Sequence, residues 1–205
     1  MLTVERVEVD LESLSGPIDL PALFGNHAPV ELEIGCGKGG FLLQQARAHP
    51  DRNYLGLEWA AKYARFAADR MARWGLSNVR IARTDARHFV IHRLPPACLN
   101  ALHVYHPDPW PKKRHHKRRL VTPEFVAAAA RALRPGARWI IQTDHAEYFE
   151  SIRVRLAARP ELIGIPPAAP LLVGDGEHTG TNYEIKFLRE GRPIHRLSVR
   201  RREHD

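Results

Sequence analysis

A chain of 205 residues, 44% hydrophobic and 26% charged, can bury one continuous core, and no apolar run in it approaches the length that spans a bilayer. Its opening stretch carries Glu5, Glu8, Asp10 and Glu12 and lacks the apolar segment of a secretory leader, while Cys36 and Cys98 stand far apart in no metal-like spacing. These features argue against a disulfide scaffold, a structural zinc site and a membrane protein, and a cytoplasmic location is expected. The formal charge of +8 is concentrated: six cations between Lys112 and Arg119 leave only +2 for the rest.

Residues 1–29, with Pro17, Pro21 and Pro29, read as an N-terminal extension ahead of a domain spanning 30–205. From residue 30 onward, short β-type runs alternate with helix-type stretches. In chain order the pattern predicts a strand over Val30–Ile34, a helix over Gly40–Ala48, a strand over Asn53–Leu57 and a helix over Ala60–Trp74. Strands follow over Asn78–Ala82 and Ala101–Tyr105, then a helix over Pro123–Leu133, a strand over Arg138–Thr143 and a helix over Glu147–Ala158. Thr122, Pro123 and Glu124 supply an N-cap, a first helical residue and a first-turn acid. After a loop-like region rich in proline and glycine, Tyr183–Leu188 has the alternation of a terminal strand. This order predicts an α/β fold with a mostly parallel, doubly wound, Rossmann-like sheet covered on both faces.

The run from Val30 to Gly40 is a strand that ends in a glycine-rich turn and opens a helix, and Gly35, Gly37 and Gly40 let a ligand approach the backbone closely. By themselves these glycines fit NAD as well as S-adenosylmethionine. Glu33 favours the second, because a carboxylate beside the turn repels a pyrophosphate and attracts a sulfonium or an α-ammonium group. Glu58 is placed to accept both ribose hydroxyls, and Asp85 to meet the adenine amine or to cap a helix. Three acids at the ends of three successive strands share one edge of a parallel sheet and converge on one crevice.

After the fourth strand, Tyr105-His106-Pro107-Asp108-Pro109-Trp110-Pro111 holds an acid between two prolines beside an indole. Fixed proline φ angles present both groups in a defined geometry, suited to a planar base, unless the tryptophan merely closes the core. The cations that follow, with His115 and His116 among them, repel one another and must be exposed, so a polyanion is their natural partner and a solvated charge run the bland alternative.

Taken together, Leu32 to Gly39, Gly56-Leu57-Glu58, the long segment Pro107 to Leu120, Thr143-Asp144 and Thr181-Asn182-Tyr183-Glu184 resemble tRNA (guanine-N7)-methyltransferases, in the right order from about residue 30 to about residue 190. His106 stands where that family often has an aromatic such as Phe. The resemblance implies a class I methyltransferase fold with an antiparallel C-terminal strand, and transfer of a methyl group from S-adenosylmethionine to N7 of a guanosine in the tRNA variable loop, at position 46. It also implies that Glu33, Gly35, Gly37, Glu58, Asp85 and Asp108 hold the cofactor, with Asp108 catalytic. Lys112, Asp144, Thr181, Asn182, Tyr183 and Glu184 become substrate contacts. Arg114, His115, His116, Lys117, Arg118 and Arg119 become the RNA-binding segment of a monomer or homodimer that needs no metal.

Guanine N7 carries a lone pair and no hydrogen, so the transfer requires no general base. It requires in-line positioning and negative charge near a purine that becomes cationic, a role that fits Asp108. Asp144 or Glu184 is placed to read the guanine N1–H and amine. Tyr183 either stacks on the base or packs in the core. Competing expectations are a dinucleotide-dependent oxidoreductase, a non-catalytic RNA-binding module, and a metal site built from His103, His106, Asp108 and His115.

Overall fold

The computed structural model describes residues 2–11, 13–167 and 190–203. Its eight strands form one sheet in the order β1-β4-β3-β2-β5-β6-β8-β7: β1 (Glu8–Val9), β2 (Val30–Ile34), β3 (Asn53–Glu58), β4 (Val79–Arg83), β5 (Leu99–Tyr105), β6 (Leu133–Thr143), β7 (Leu162–Ile165) and β8 (His195–Arg201). Pairings from β1 to β6 are parallel, while β8 runs antiparallel to both β6 and β7. The expected doubly wound sheet with an antiparallel C-terminal strand is therefore present. The described strand is His195–Arg201; the predicted one over Tyr183–Leu188, and with it Thr181 to Glu184, lies outside the described residues.

Side-chain alternation along the central strands builds two apolar layers. Val30, Leu32 and Ile34 of β2 join Leu55 and Leu57 of β3 and Val104 of β5 on one face, under α5 (Ala86–His92), α6 (Pro123–Ala132) and α7 (Ala146–Ala157). Tyr54, Ile81 and Tyr105 belong to the other layer, with α3 (Gly40–Ala48), α4 (Ala61–Arg73) and Val7 of α1 (Val4–Val7). Gly56 lies in this second layer, where an added Cβ would stand 2.5 Å from Leu42 Cδ1 and 3.0 Å from Cys36 Sγ. Its lack of a side chain lets α3 and the glycine-rich turn close onto β3.

The predicted strand over Val30–Ile34 and helix over Gly40–Ala48 have those bounds in the structure, and Thr122 Oγ1 accepts the predicted capping hydrogen bond from Phe125 N at 3.2 Å. Three short α-helices escaped the periodicity: α1, α2 (Leu20–Phe24) and α5 span too few residues to repeat a helical pattern, and the short strands β1 and β7 were not anticipated either. The N-terminal stretch joins the sheet directly, Glu8 pairing with Ile81 and Val9 with Ala82. Among the described residues no helix is long and apolar enough to cross a membrane.

Candidate active site

Strand order reverses between β2 and β5, and at the carboxyl ends of these strands opens a crevice of about 1580 Å³. Ligands bind at such switch points because neighbouring loops diverge there. The volume exceeds the ~300–1,000 Å³ typical of one small ligand. Glu33, Gly35, Gly37, Glu58, Asp85 and Asp108 all line it, so the acids expected from three successive strands do converge, and the acid of the proline loop meets them.

The turn between β2 and α3 is built on backbone bonds to the end of β3: Gly35 N and Cys36 N both donate to Leu57 O, at 2.8 and 3.1 Å. Gly35 and Gly37 have φ of 74° and 53°, a region that L side chains rarely adopt. Glu58 locks the turn from the opposite side, its Oε2 accepting from Gly37 N at 2.8 Å and its Oε1 from Ala60 N at 2.9 Å. Of the two roles weighed for it, Asp85 takes the helix cap, Oδ1 accepting from Arg87 N at 2.8 Å and His88 N at 3.2 Å, and the residue also borders the crevice.

Glu31 and Glu33 occupy the same face of β2, opposite its apolar side. Glu31 is buried between His103 Nε2 at 2.9 Å and Arg52 Nη1 at 2.7 Å. Burial alone would raise its pKa, but hydrogen bonds and charge from His103 and Arg52 outweigh that cost and hold it at about 2. His103 Nδ1 in turn meets the Tyr105 hydroxyl at 3.0 Å, fixing a ring that lines the crevice. Glu33 is only 3% exposed and its Oε2 has no hydrogen-bond partner; burial first, and the neighbouring Glu58 charge second, push its pKa up to about 8. A buried, unpartnered carboxyl oxygen at a glycine-rich turn suits a cationic ligand group, which would draw the proton off it. The residues present therefore fit the ammonium and sulfonium of S-adenosylmethionine.

In the loop after β5, His106 and Trp110 adopt φ of 51° and 44°, strained values for non-glycine residues that the surrounding structure must maintain. Asp108 is exposed to the crevice, and Trp110 lines it beside Arg118, whose guanidinium carbon lies 5.0 Å from the indole centroid. The basic run forms a 3₁₀ helix over Lys113–Arg118. Arg114, Lys117 and Arg118 are exposed, His115 and His116 half-buried, and Lys117 and Arg118 reach the crevice.

Arg119 departs from the expected exposed run. It is 1% exposed, and its guanidinium donates to Pro109 O at 2.8 Å and to Glu147 Oε1 at 3.0 Å while lying 4.6 Å from the Tyr148 ring centroid. A guanidinium satisfied in this way anchors the loop and is not available to phosphate. Lys112 is exposed outside the crevice. Asp144, at the end of β6, also does not line it: the carboxylate pairs with Arg192 and lies 3.6 Å from His106 Nδ1. Among the described residues no group of three or more His, Cys, Asp or Glu side chains could hold a metal ion. Sequence reading missed the far wall of the crevice, formed by Trp59, Tyr63, Phe66 and Arg70. The signal was available as aromatics at helical spacing, a pattern that more commonly marks a core face.

A nucleotide-type crevice at the switch point of this sheet, with a buried acid before the glycine turn, defines a class I methyltransferase architecture. Solved structures share the fold. The antibiotic-resistance methyltransferase Kmr aligns with a TM-score of 0.60 at 19% identity, over 91% of this chain and 93% of its own, and a SAM-dependent methyltransferase from Aquifex aeolicus with 0.56 at 12% identity, over 86% and 85%. Residues 27–197 match the family model described as "Putative methyltransferase". The tRNA (guanine-N(7)-)-methyltransferase of Alkalilimnicola ehrlichii is 40% identical over 92% of this chain and 79% of its own length, and that of Geobacter metallireducens 36% identical over 93% and 90%. The chain belongs to the tRNA (guanine-N7)-methyltransferase family.

Proposed function

We propose that this chain methylates N7 of a guanosine in tRNA, at position 46 of the variable loop, using S-adenosylmethionine. The observation that carries the reading is the meeting of Glu33, Glu58, Asp85 and Asp108 in one crevice whose rim bears Lys117 and Arg118. Bound there, S-adenosylmethionine supplies an electrophilic methyl group on a sulfonium. Glu33 and the Gly35–Gly37 turn hold its amino-acid end, Glu58 its ribose and Asp85 its adenine.

Asp108 faces the purine. Its carboxylate offsets positive charge that builds on the ring as the N7 lone pair takes the methyl group, and no residue has to remove a proton. Trp110 walls the base and Arg114, Lys117 and Arg118 engage the phosphate backbone on one side of it. Asp144 and Thr181 to Glu184 bind the substrate guanosine in this reading, Asp144 or Glu184 selecting guanine by accepting from N1–H and the amine. The non-catalytic RNA-binding alternative is disfavoured because the buried Glu33 carboxyl costs stability that a binding module has no reason to keep.

The test is incubation with methyl-labelled S-adenosylmethionine and unmodified tRNA transcripts, followed by digestion. Label in N7-methylguanosine, lost when guanosine 46 is replaced, is the expected result. Label in another nucleoside would overturn the target atom, and absence of label the activity itself.

A further inference from the structure

The wall of the crevice opposite the 3₁₀ helix has no part in the chemistry above. On α4 and its flanks, Trp59, Tyr63, Phe66 and Trp74 are 70%, 42%, 43% and 53% exposed, and they are four of the six exposed large hydrophobic side chains among the described residues. Tyr63, Phe66, Arg70 and Trp74 follow one another at three and four residues, so they share one helix face, and all line the crevice. Exposed apolar area gathered on one strip marks a binding surface.

Cations accompany these rings. Lys38 Nζ lies 5.8 Å from the Phe66 centroid, the Arg47 guanidinium carbon 4.3 Å from that of Trp74, and Arg70 donates to Lys38 O at 3.3 Å. The one acid on α4, Asp69, is paired with Arg73 at 2.7 Å. A lipid or an apolar protein partner would be poorly served by this interleaving, whereas single-stranded nucleic acid needs both components, flat rings for bases and cations for phosphates. The opposite wall repeats the device, with Arg118 over Trp110.

We propose that the α4 strip is a second RNA-binding surface, on which unpaired nucleotides flanking the target base stack, so that the RNA is gripped from both rims of the crevice. This rests on the tRNA reading given above. The crevice volume accommodates it, since space beyond one cofactor and one base is present.

The test compares the full chain with the triple variant Tyr63→Ala/Phe66→Ala/Trp74→Ala. Affinity for an unmodified tRNA transcript, read by fluorescence anisotropy, is expected to fall about tenfold or more, with S-adenosylmethionine affinity by calorimetry held within about twofold. Should the triple variant not fold, Trp74→Phe serves: it keeps a stacking ring, so tRNA affinity stays near wild type while part of the tRNA-induced quenching of tryptophan emission disappears. Undiminished tRNA affinity in the triple variant, or undiminished quenching in Trp74→Phe, would overturn the proposal. So would cofactor affinity falling in step with tRNA affinity, which makes the strip a cofactor wall, or a dimer that becomes monomeric, which makes it a self-association surface. A wild-type chain that neither binds nor methylates tRNA removes the underlying reading and this inference with it, whereas methylation by both proteins at equal tRNA affinity removes this inference alone.

Discussion

Glu31 and Glu33 stand two residues apart on one face of β2 and titrate in opposite directions, toward about 2 and about 8 from a common 4.5. The sign of the pH dependence differs accordingly. Glu31 contributes stability that is present above 4.5 and lost as pH falls toward 2. Glu33 does the reverse: between 4.5 and 8 the folded chain holds a proton that the unfolded chain has released, so stability declines as pH rises through that window. Urea unfolding of the ligand-free protein from pH 5 to 8.5 is expected to show this decline, and Glu33→Gln to flatten it. A cationic cofactor at Glu33 favours the ionised carboxyl, so binding near pH 7 is expected to release a proton. Calorimetry in buffers of differing ionisation enthalpy measures that release, and its persistence in Glu33→Gln would assign the proton to another group. Asp108 is predicted to act on turnover instead: Asp108→Asn lowers kcat on the order of a hundredfold with tRNA affinity little changed, because the carboxylate offsets charge that develops only during transfer.

At the scale of elements, the strained loop after β5 is held from behind by the first turn of α7. Arg119 connects them through Pro109 O and Glu147, and Arg87 of α5 donates to Arg119 O at 3.0 Å, closing the end of the 3₁₀ helix. Two adjacent arginines thus have different surroundings, which a charge run in a sequence cannot distinguish: direction within a three-residue turn decides which faces solvent, and Arg119 is the one buried against the Tyr148 ring and tied to Glu147. Arg119→Ala is expected to cost about 2 kcal/mol, the scale of a lost charged hydrogen-bond group. In a chain of this size that lowers Tm by roughly 4–8 °C. Arg118→Ala is expected to leave Tm unchanged and weaken tRNA binding, and thermal melts of the two variants side by side test the distinction. The long periodic elements and the acids at strand ends were legible because each obeys a local rule of period or turn chemistry. The α4 strip was not, since helical spacing of aromatics says that they share a face and leaves open whether that face is covered.

For the whole molecule, the net charge of +8 matters through where it lies. With Arg119 turned inward, the exposed cations of the basic segment are Lys112, Lys113, Arg114, Lys117 and Arg118. Of these, Lys117 and Arg118 line the crevice together with Asp108, so an RNA backbone docked on them would bring a base toward the acids rather than to a distant surface. Counterion release makes this measurable, because each phosphate neutralised contributes about −0.9 to the slope of log affinity against log salt on duplex and about −0.7 on single strands. Replacing Arg114, Lys117 and Arg118 by alanine together is expected to flatten the slope by about 2 to 3 and weaken binding to all tRNAs alike, since phosphate contacts carry no sequence information. Arg119→Ala, measured below its melting temperature, is expected to leave the slope where it was. If the variant lacking Arg114, Lys117 and Arg118 instead kept the wild-type slope, those three cations would be a solvated rim that touches no phosphate.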